Sequence, residues 1–464
     1  MDDDLTSLSQ QFQQGERSST EITSYYLERI AQYDQMLSAF ITVCEQDALS
    51  HAKKADVDRE QGIHRGALQG IPIALKDLFH TKGVKTTAGS SIRADFVPQD
   101  DAIVWQKMQQ QGAILLGKTN LHEFAYGTTS ENPHYGPVHN PWNLAHSAGG
   151  SSGGSAAAIA ASLTPASIGT DTGGSVRIPA ACTGTYGLKP TRGLVSLTGI
   201  DPLAMSLDHA GPMGRSVRDI ALLLSIIAGY DEEDPYSVDV APTPYSSVLG
   251  QSIRGMTVGI DETYYFARAQ EEVITSILEA KRILEDAGAH VIQVAVPGIE
   301  ASSAIHDAII SVEALTTHHD DLSRMPEAYG DDVRERLLLG RRYTAQDYAK
   351  ACRERKVFRR NLLQMFDSID ILLTPTLPFV APPLGQGTIT LEGAVQPIRN
   401  GLSKFTRPFN TAGFPAIAVP CGLSREHLPL SVQFVARPFA ESQLLKVSCI
   451  MEQAFPFFLP PLFQ

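Results

Sequence analysis

Two serine-glycine runs and one lysine-bearing glycine motif hold the residues of this chain best suited to chemistry. Gly112 to Thr119 fits the phosphate-loop pattern GxxxxGK[ST] letter for letter; in such a loop backbone N–H groups cradle phosphate and the lysine, here Lys118, reaches it. That loop has to be an exposed turn after a strand. Its variable positions here are Ala113-Ile114-Leu115-Leu116, preceded by Gln109-Gln110-Gln111. An apolar run of this kind belongs in a sheet interior, so the expectation is a buried strand ending at a glycine turn, with nucleotide binding the remote alternative. Gly149-Gly150-Ser151-Ser152-Gly153 satisfies GxSxG, the nucleophile elbow of α/β-hydrolases, which needs a strand running into the serine and then an acid and a histidine. Asn140 to Ser147 contains a proline and polar residues and is a poor strand, although His209, His290, His318 and His427 follow. The elbow is the weaker reading.

A third pattern explains both serine-glycine runs together. Gly149-Gly150-Ser151-Ser152-Gly153-Gly154-Ser155 is followed by Gly169-Thr170-Asp171-Thr172-Gly173-Gly174-Ser175 and then Val176 to Ala180. With Gly70 to Asp77, Gly117 to Ala125, Gly187-Leu188-Lys189-Pro190 and Ala412 through Gly422, the chain resembles the amidase signature family over nearly its whole length. The resemblance implies a Ser–Ser–Lys triad in which Ser175 matches the nucleophile, Ser151 the bridging serine and Lys76 the base. It implies an acyl-enzyme, a cis bond at the bridging serine, and a pocket loop covering Tyr126, Gly127 and Thr128 through Ser130. No metal and no organic cofactor is implied.

The chemistry fits these residue types. A serine hydroxyl is a poor nucleophile until a base takes its proton. Lys76 must be neutral to serve, whereas a free lysine titrates near ~10.4, and burial behind Ile71 to Leu75 would depress it. Asp77 would oppose that shift if it faced the same way, but neighbours on a strand point to opposite sides. Thr172, Gly173, Gly174 and Ser175 supply consecutive N–H groups suited to an oxyanion. Asp171 and Arg177 flank this loop and are expected to pair and brace it.

The resemblance leaves a choice within the family. One member class is the A subunit of tRNA-dependent glutamine amidotransferase, which frees ammonia from glutamine for a partner subunit. That protein carries an acidic residue shortly before its Pro-x-Asn motif, whereas Asn400 to Asn410 here has none. Its Arg-Phe-Asp-Gly-type stretch is replaced by Thr316 to Arg324. Arg336 is left as a residue able to hold a carboxylate, and Ser431 stands where the family usually has glycine. The expectation is therefore a free-standing amidase acting on a small carboxamide. The alternative is the glutamine-hydrolysing subunit, working with its amidotransferase partner. His318-His319-Asp320-Asp321 invites a metal reading, but without further ligands it reads as a solvated helix face.

These residues need elements to position them. Helical periodicity covers Thr20 to Leu37, and a polar helix covers Glu45 to Arg59. Apolar runs at 70–75 and 112–117 read as buried strands, and Ser155 to Ser162 as a small-residue helix. Ser216-Val217-Arg218-Asp219 has the form of a capping box opening a helix to Ala228. Strands follow at 256–260, 290–294, 369–374, 416–420 and 430–435, with helices at 271–287, 302–315 and 345–366. Strands at both ends of the chain suggest one sheet visited repeatedly. The fold class expected is α/β, a single large mixed sheet with helices on both faces. It forms one domain over 1–464: N-terminal helices to about 65, the signature core to about 200, then a part completing the same sheet.

Composition sets the outer bounds. In 464 residues, 38 basic and 51 acidic side chains give a net charge of −13, and 43% hydrophobic residues suffice for a substantial core. A disordered or fibrous chain is excluded, and the negative charge argues against nucleic acid or an anionic membrane as main partner. No apolar run approaches the roughly 20 residues of a spanning helix, and the start of the chain is acidic, so a cytoplasmic protein is expected. The five cysteines show no paired spacing that would suggest disulfides or zinc. A homo-oligomer is compatible with these features.

Overall fold

Short runs of apolar residues, fenced by glycine and proline, build eleven strands of one mixed sheet in the computed structural model, which describes residues 3–241 and 243–464. In chain order they are β1 (Phe40–Val43), β2 (Pro72–Lys76), β3 (Ile114–Thr119), β4 (Ser167–Thr170), β5 (Tyr186–Lys189) and β6 (Ala210–Gly214). Then come β7 (Thr257–Ile260), β8 (His290–Gln293), β9 (Ile371–Pro375), β10 (Ala416–Leu423) and β11 (Pro429–Ala436). Their order across the sheet is β1-β3-β2-β4-β6-β5-β10-β11-β9-β7-β8. β3, β2 and β4 run parallel, as do β9, β7 and β8, while the middle of the sheet is antiparallel.

Helices cover both faces, and this is why runs such as 71–75 and 371–373 are unbroken and apolar rather than alternating. On β9, Ile371 and Leu373 join one core while Leu372 joins the other; on β11, Phe434 and Val435 divide the same way. The helix Ser19–Leu37 starts at a capping box in which Ser18 and Glu21 bond each other's backbone N–H. At Ser216 only half of the expected box forms: its hydroxyl accepts from Asp219 N–H, but the Asp219 carboxylate turns to Thr6 instead. No described helix is long and apolar enough to cross a membrane.

Two local readings are corrected. β3 does not end at a glycine turn; it runs through Gly117 and Lys118 to Thr119. Gly117 is there because β1 crosses tightly: an added Cβ would lie 2.4 Å from the Thr42 carbonyl oxygen. Asn143–Ser147 is a strand after all, but it pairs with His139–Asn140 in a separate two-stranded ribbon and does not belong to the main sheet. The parallel pair β2 and β4 carries Lys76 and Thr170 at their C-terminal ends, the side of an α/β sheet where ligand sites gather.

Candidate active site

Lys76 ends β2 with no exposed surface, and its Nζ donates to Ser151 Oγ at 2.7 Å and to Thr170 Oγ1 at 2.7 Å. Burial pushes its pKa down to about 7, against the opposing pull of the Asp171 and Asp208 carboxylates. Asp77 diverges as strand geometry requires. Its carboxylate accepts from Thr87 N–H at 2.8 Å and Thr87 Oγ1 at 2.6 Å, and pairs with Lys118 at 3.2 Å.

Ser151 is wholly buried on the turn before the helix Gly153–Ala160, and the Gly150–Ser151 peptide is cis. Ser175 stands on the next loop, after β4, and lines a cavity of about 310 Å³. The two loops are tied by Ser152 N–H donating to the Ser175 carbonyl at 3.2 Å. Among the described residues no hydrogen bond joins the Ser151 and Ser175 hydroxyls directly.

The loop bearing Ser175 is held by a buried ion pair. Arg177 Nε donates to Asp171 Oδ2 at 3.0 Å and its Nη2 to Oδ1 at 2.9 Å, both side chains fully buried. Burial raises the Asp171 pKa, but the Arg177 charge and hydrogen bonds outweigh it and hold the carboxyl well below its usual range. Arg177 also reaches the Thr406 carbonyl at 3.0 Å, Gln433 Oε1 at 2.6 Å and Asn410 Oδ1 at 2.7 Å. Segments more than two hundred residues downstream thereby fix the loop.

Of the four N–H groups expected to face an oxyanion, that of Gly174 is taken by Asp171 Oδ1 at 2.8 Å. Those of Thr172, Gly173 and Ser175 have no protein acceptor among the described residues. Gly174 has φ +134°, and a Cβ there would meet Thr406 Oγ1 at 2.2 Å, so only glycine fits. Thr172 is anchored on both sides, its hydroxyl donating to Asp208 Oδ1 at 2.6 Å and its carbonyl accepting from His306 Nε2 at 3.1 Å.

Tyr126, Gly127 and Thr128 line the same cavity, and so does Arg336, which donates to the Tyr126 carbonyl and pairs with Asp332 at 3.2 Å. Sequence reasoning missed Thr170, Asp208, His306, Arg399 and Arg407 at or beside this site. Thr170 was legible as a neighbour of Asp171; the others arrive only through the fold.

The competing readings lose their geometry. Lys118 Nζ is buried and donates to the Phe79 carbonyl at 2.7 Å, Thr86 Oγ1 at 2.8 Å and Thr81 Oγ1 at 3.2 Å, so it presents nothing to a phosphate. Ser151 meets a lysine rather than the histidine an elbow requires. His318 is not on a solvated face: it is buried, edge-on to Phe124 with ring centroids 4.5 Å apart, and only its neighbours His319 and Asp320 are exposed.

Comparison with known proteins gives the class. A family model described as Amidase matches residues 21–445. The chain is 39% identical to the A subunit of glutamyl-tRNA(Gln) amidotransferase from Trichlorobacter lovleyi, over 97% of this chain and 96% of that protein. It is 40% identical to the protein of the same name from Chromohalobacter salexigens, covering 98% and 96%. Among solved structures it resembles one from an unexpected vestigial protein complex bearing on the origins of an s-triazine catabolic enzyme. That likeness has a TM-score of 0.94 at 34% identity over 98% of this chain and 99% of the other. The chain belongs to the amidase signature family. It is an amidase, a hydrolase of carbon–nitrogen bonds in amides.

Proposed function

We propose that this amidase cleaves a small carboxamide to a carboxylate and ammonia or an amine through an acyl-enzyme on Ser175. One observation carries the reading: a fully buried lysine, with its pKa pushed down to about 7, holds Ser151 Oγ at 2.7 Å directly behind the loop that presents Ser175 to a cavity. Neutral Lys76 takes a proton from Ser151 as Ser151 takes one from Ser175. Ser175 Oγ then bonds the amide carbon, and the carbonyl oxygen gathers negative charge against the N–H groups of Thr172, Gly173 and Ser175. Collapse breaks the C–N bond, the relay returns the proton to the leaving nitrogen, and water releases the acyl group by the same route.

The relay needs a direct Ser151–Ser175 contact, and catalytic hydrogen bonds often tighten only in the bound complex. The second reading is a glutamine-hydrolysing amidotransferase component, supported by identity to the two A subunits named above. Against it, the wall formed by 400–410 offers Asn400, Ser403 and Arg407 to the cavity and no acid for an amino group.

Ammonia release by the purified chain alone decides between them. A panel of aliphatic and aromatic primary amides plus glutamine is measured with Ser175→Ala as control. Turnover of simple amides that vanishes in the control is expected. Activity restricted to weak glutamine hydrolysis would favour a component that needs its partner.

A further inference from the structure

The cavity in front of Ser175 is more cationic than cleavage of a neutral amide requires. Arg336, Arg342, Arg399 and Arg407 line it, against a single carboxylate, Asp307. Asp307 is already engaged by Arg407 Nη1 at 3.0 Å and Arg336 by Asp332, outside the lining, at 3.2 Å, which leaves Arg342 and Arg399 as the surplus, without a carboxylate partner among the described residues. A guanidinium cannot shed its charge in any ordinary pH range, so this imbalance is permanent. Two of its N–H groups, Arg336 Nε and Arg407 Nε, are buried without an acceptor, a costly state that a ligand would relieve. Arg399 lies half-buried on the short helix Ile398–Leu402, close enough to Arg336 for each charge to weigh on the other. Among the described residues its guanidinium has no carboxylate partner.

We infer that the substrate is an amide whose acyl part carries a carboxylate and no ammonium group, the carboxylate being seated by Arg399 and Arg336. This rests on the amidase reading of Ser175 and adds the substrate class to it. A planar carboxylate accepts two parallel N–H bonds from one guanidinium, which suits it to Arg399, while Arg336, already paired with Asp332 at 3.2 Å, adds its unsatisfied Nε–H. An ammonium group would meet the surplus arginines with no free carboxylate to offset them. A cavity of about 310 Å³ admits a short acyl chain.

The test is binding, so that it does not depend on turnover. Calorimetry on Ser175→Ala measures malonamate, succinamate and glutaramate, each against its uncharged diamide, and glutaramate against glutamine, which differs from it by one amino group. At least one anionic amide is expected to bind tenfold or more tighter than its diamide, with affinity falling as salt is added, and glutaramate to bind more tightly than glutamine. Arg399→Glu should abolish the preference for charge; Arg399→Gln, the milder change, should cut it in the same direction.

Equal binding of the charged and uncharged members in all three pairs would overturn the inference, as would a preference that survives both substitutions. Turnover of diamides that depends on Ser175 but ignores charge would sink the substrate class and leave the amidase reading standing. Anion-selective binding with turnover that does not need Ser175 would do the reverse.

Discussion

Lys76 couples the chemistry of the site to its stability. Its pKa is pushed down to about 7 by burial, whereas in the unfolded chain it returns to about 10.4. As the proposed base it works only when neutral, so kcat/KM should rise with pH through a limb near 7. That limb should be missing from the residual activity of Lys76→Ala; its persistence would remove the lysine from the role. The linkage runs the same way. Between these pKa values the unfolded chain binds more protons, so the cost of burying the lysine is full below pH 7 and relieved as pH rises. The melting temperature of Lys76→Met relative to the parent should therefore be most favourable near pH 6 and decline toward pH 9. Beside it, Arg177→Met strips Asp171 of its buried partner and should lower unfolding free energy by about 3–5 kcal/mol in urea titrations. Ser175→Ala should leave the midpoint close to the parent's. Lys76, Ser151 and Ser175 were legible because their local motifs are long. Arg399 and Arg407 were not, since a single arginine carries no signal until the fold points it into a cavity.

At the scale of elements, apolar runs located seven of the eleven strands of the sheet and missed β1, β4, β5 and β6, whose short segments carry no unbroken apolar signature. The reading erred where a glycine means close approach rather than a turn. Gly117 sits inside β3 beneath Thr42, and Gly117→Ala should cost about 1–3 kcal/mol by forcing β1 away. The accompanying lysine belongs to the sheet's interior, so magnesium ATP should leave the melting temperature of the parent unchanged; a shift of several degrees would restore the phosphate-loop reading. β4 was hidden for a related reason. Ser167-Ile168-Gly169-Thr170 has little apolar content, and it is a strand because β2 and β6 pair with it on either side. His318 shows the opposite error, a polar-looking stretch whose first residue turns inward onto Phe124.

Over the whole molecule, one sheet takes strands from Phe40 to Ala436, and the loop bearing Ser175 is locked by Thr406, Asn410 and Gln433. We propose that the chain folds as one cooperative domain. Calorimetry should give a single transition whose van't Hoff and calorimetric enthalpies agree; two resolved transitions would contradict this. The cavity in front of Ser175 is likewise a product of the whole fold, drawn from segments near 126, 173, 306, 336, 399 and 407. The sequence motifs locate Lys76, Ser151 and Ser175 but not this wall, because its residues come together only in the folded chain.

The acyl-enzyme on Ser175 is tested most directly by intact-mass spectrometry of the enzyme quenched during turnover of its best amide, followed by peptide mapping. The expected result is an added mass equal to the acyl group, confined to the peptide containing Ser175 and absent in Ser175→Ala. An acyl group mapped to another residue, or turnover undiminished in Ser175→Ala, would contradict it.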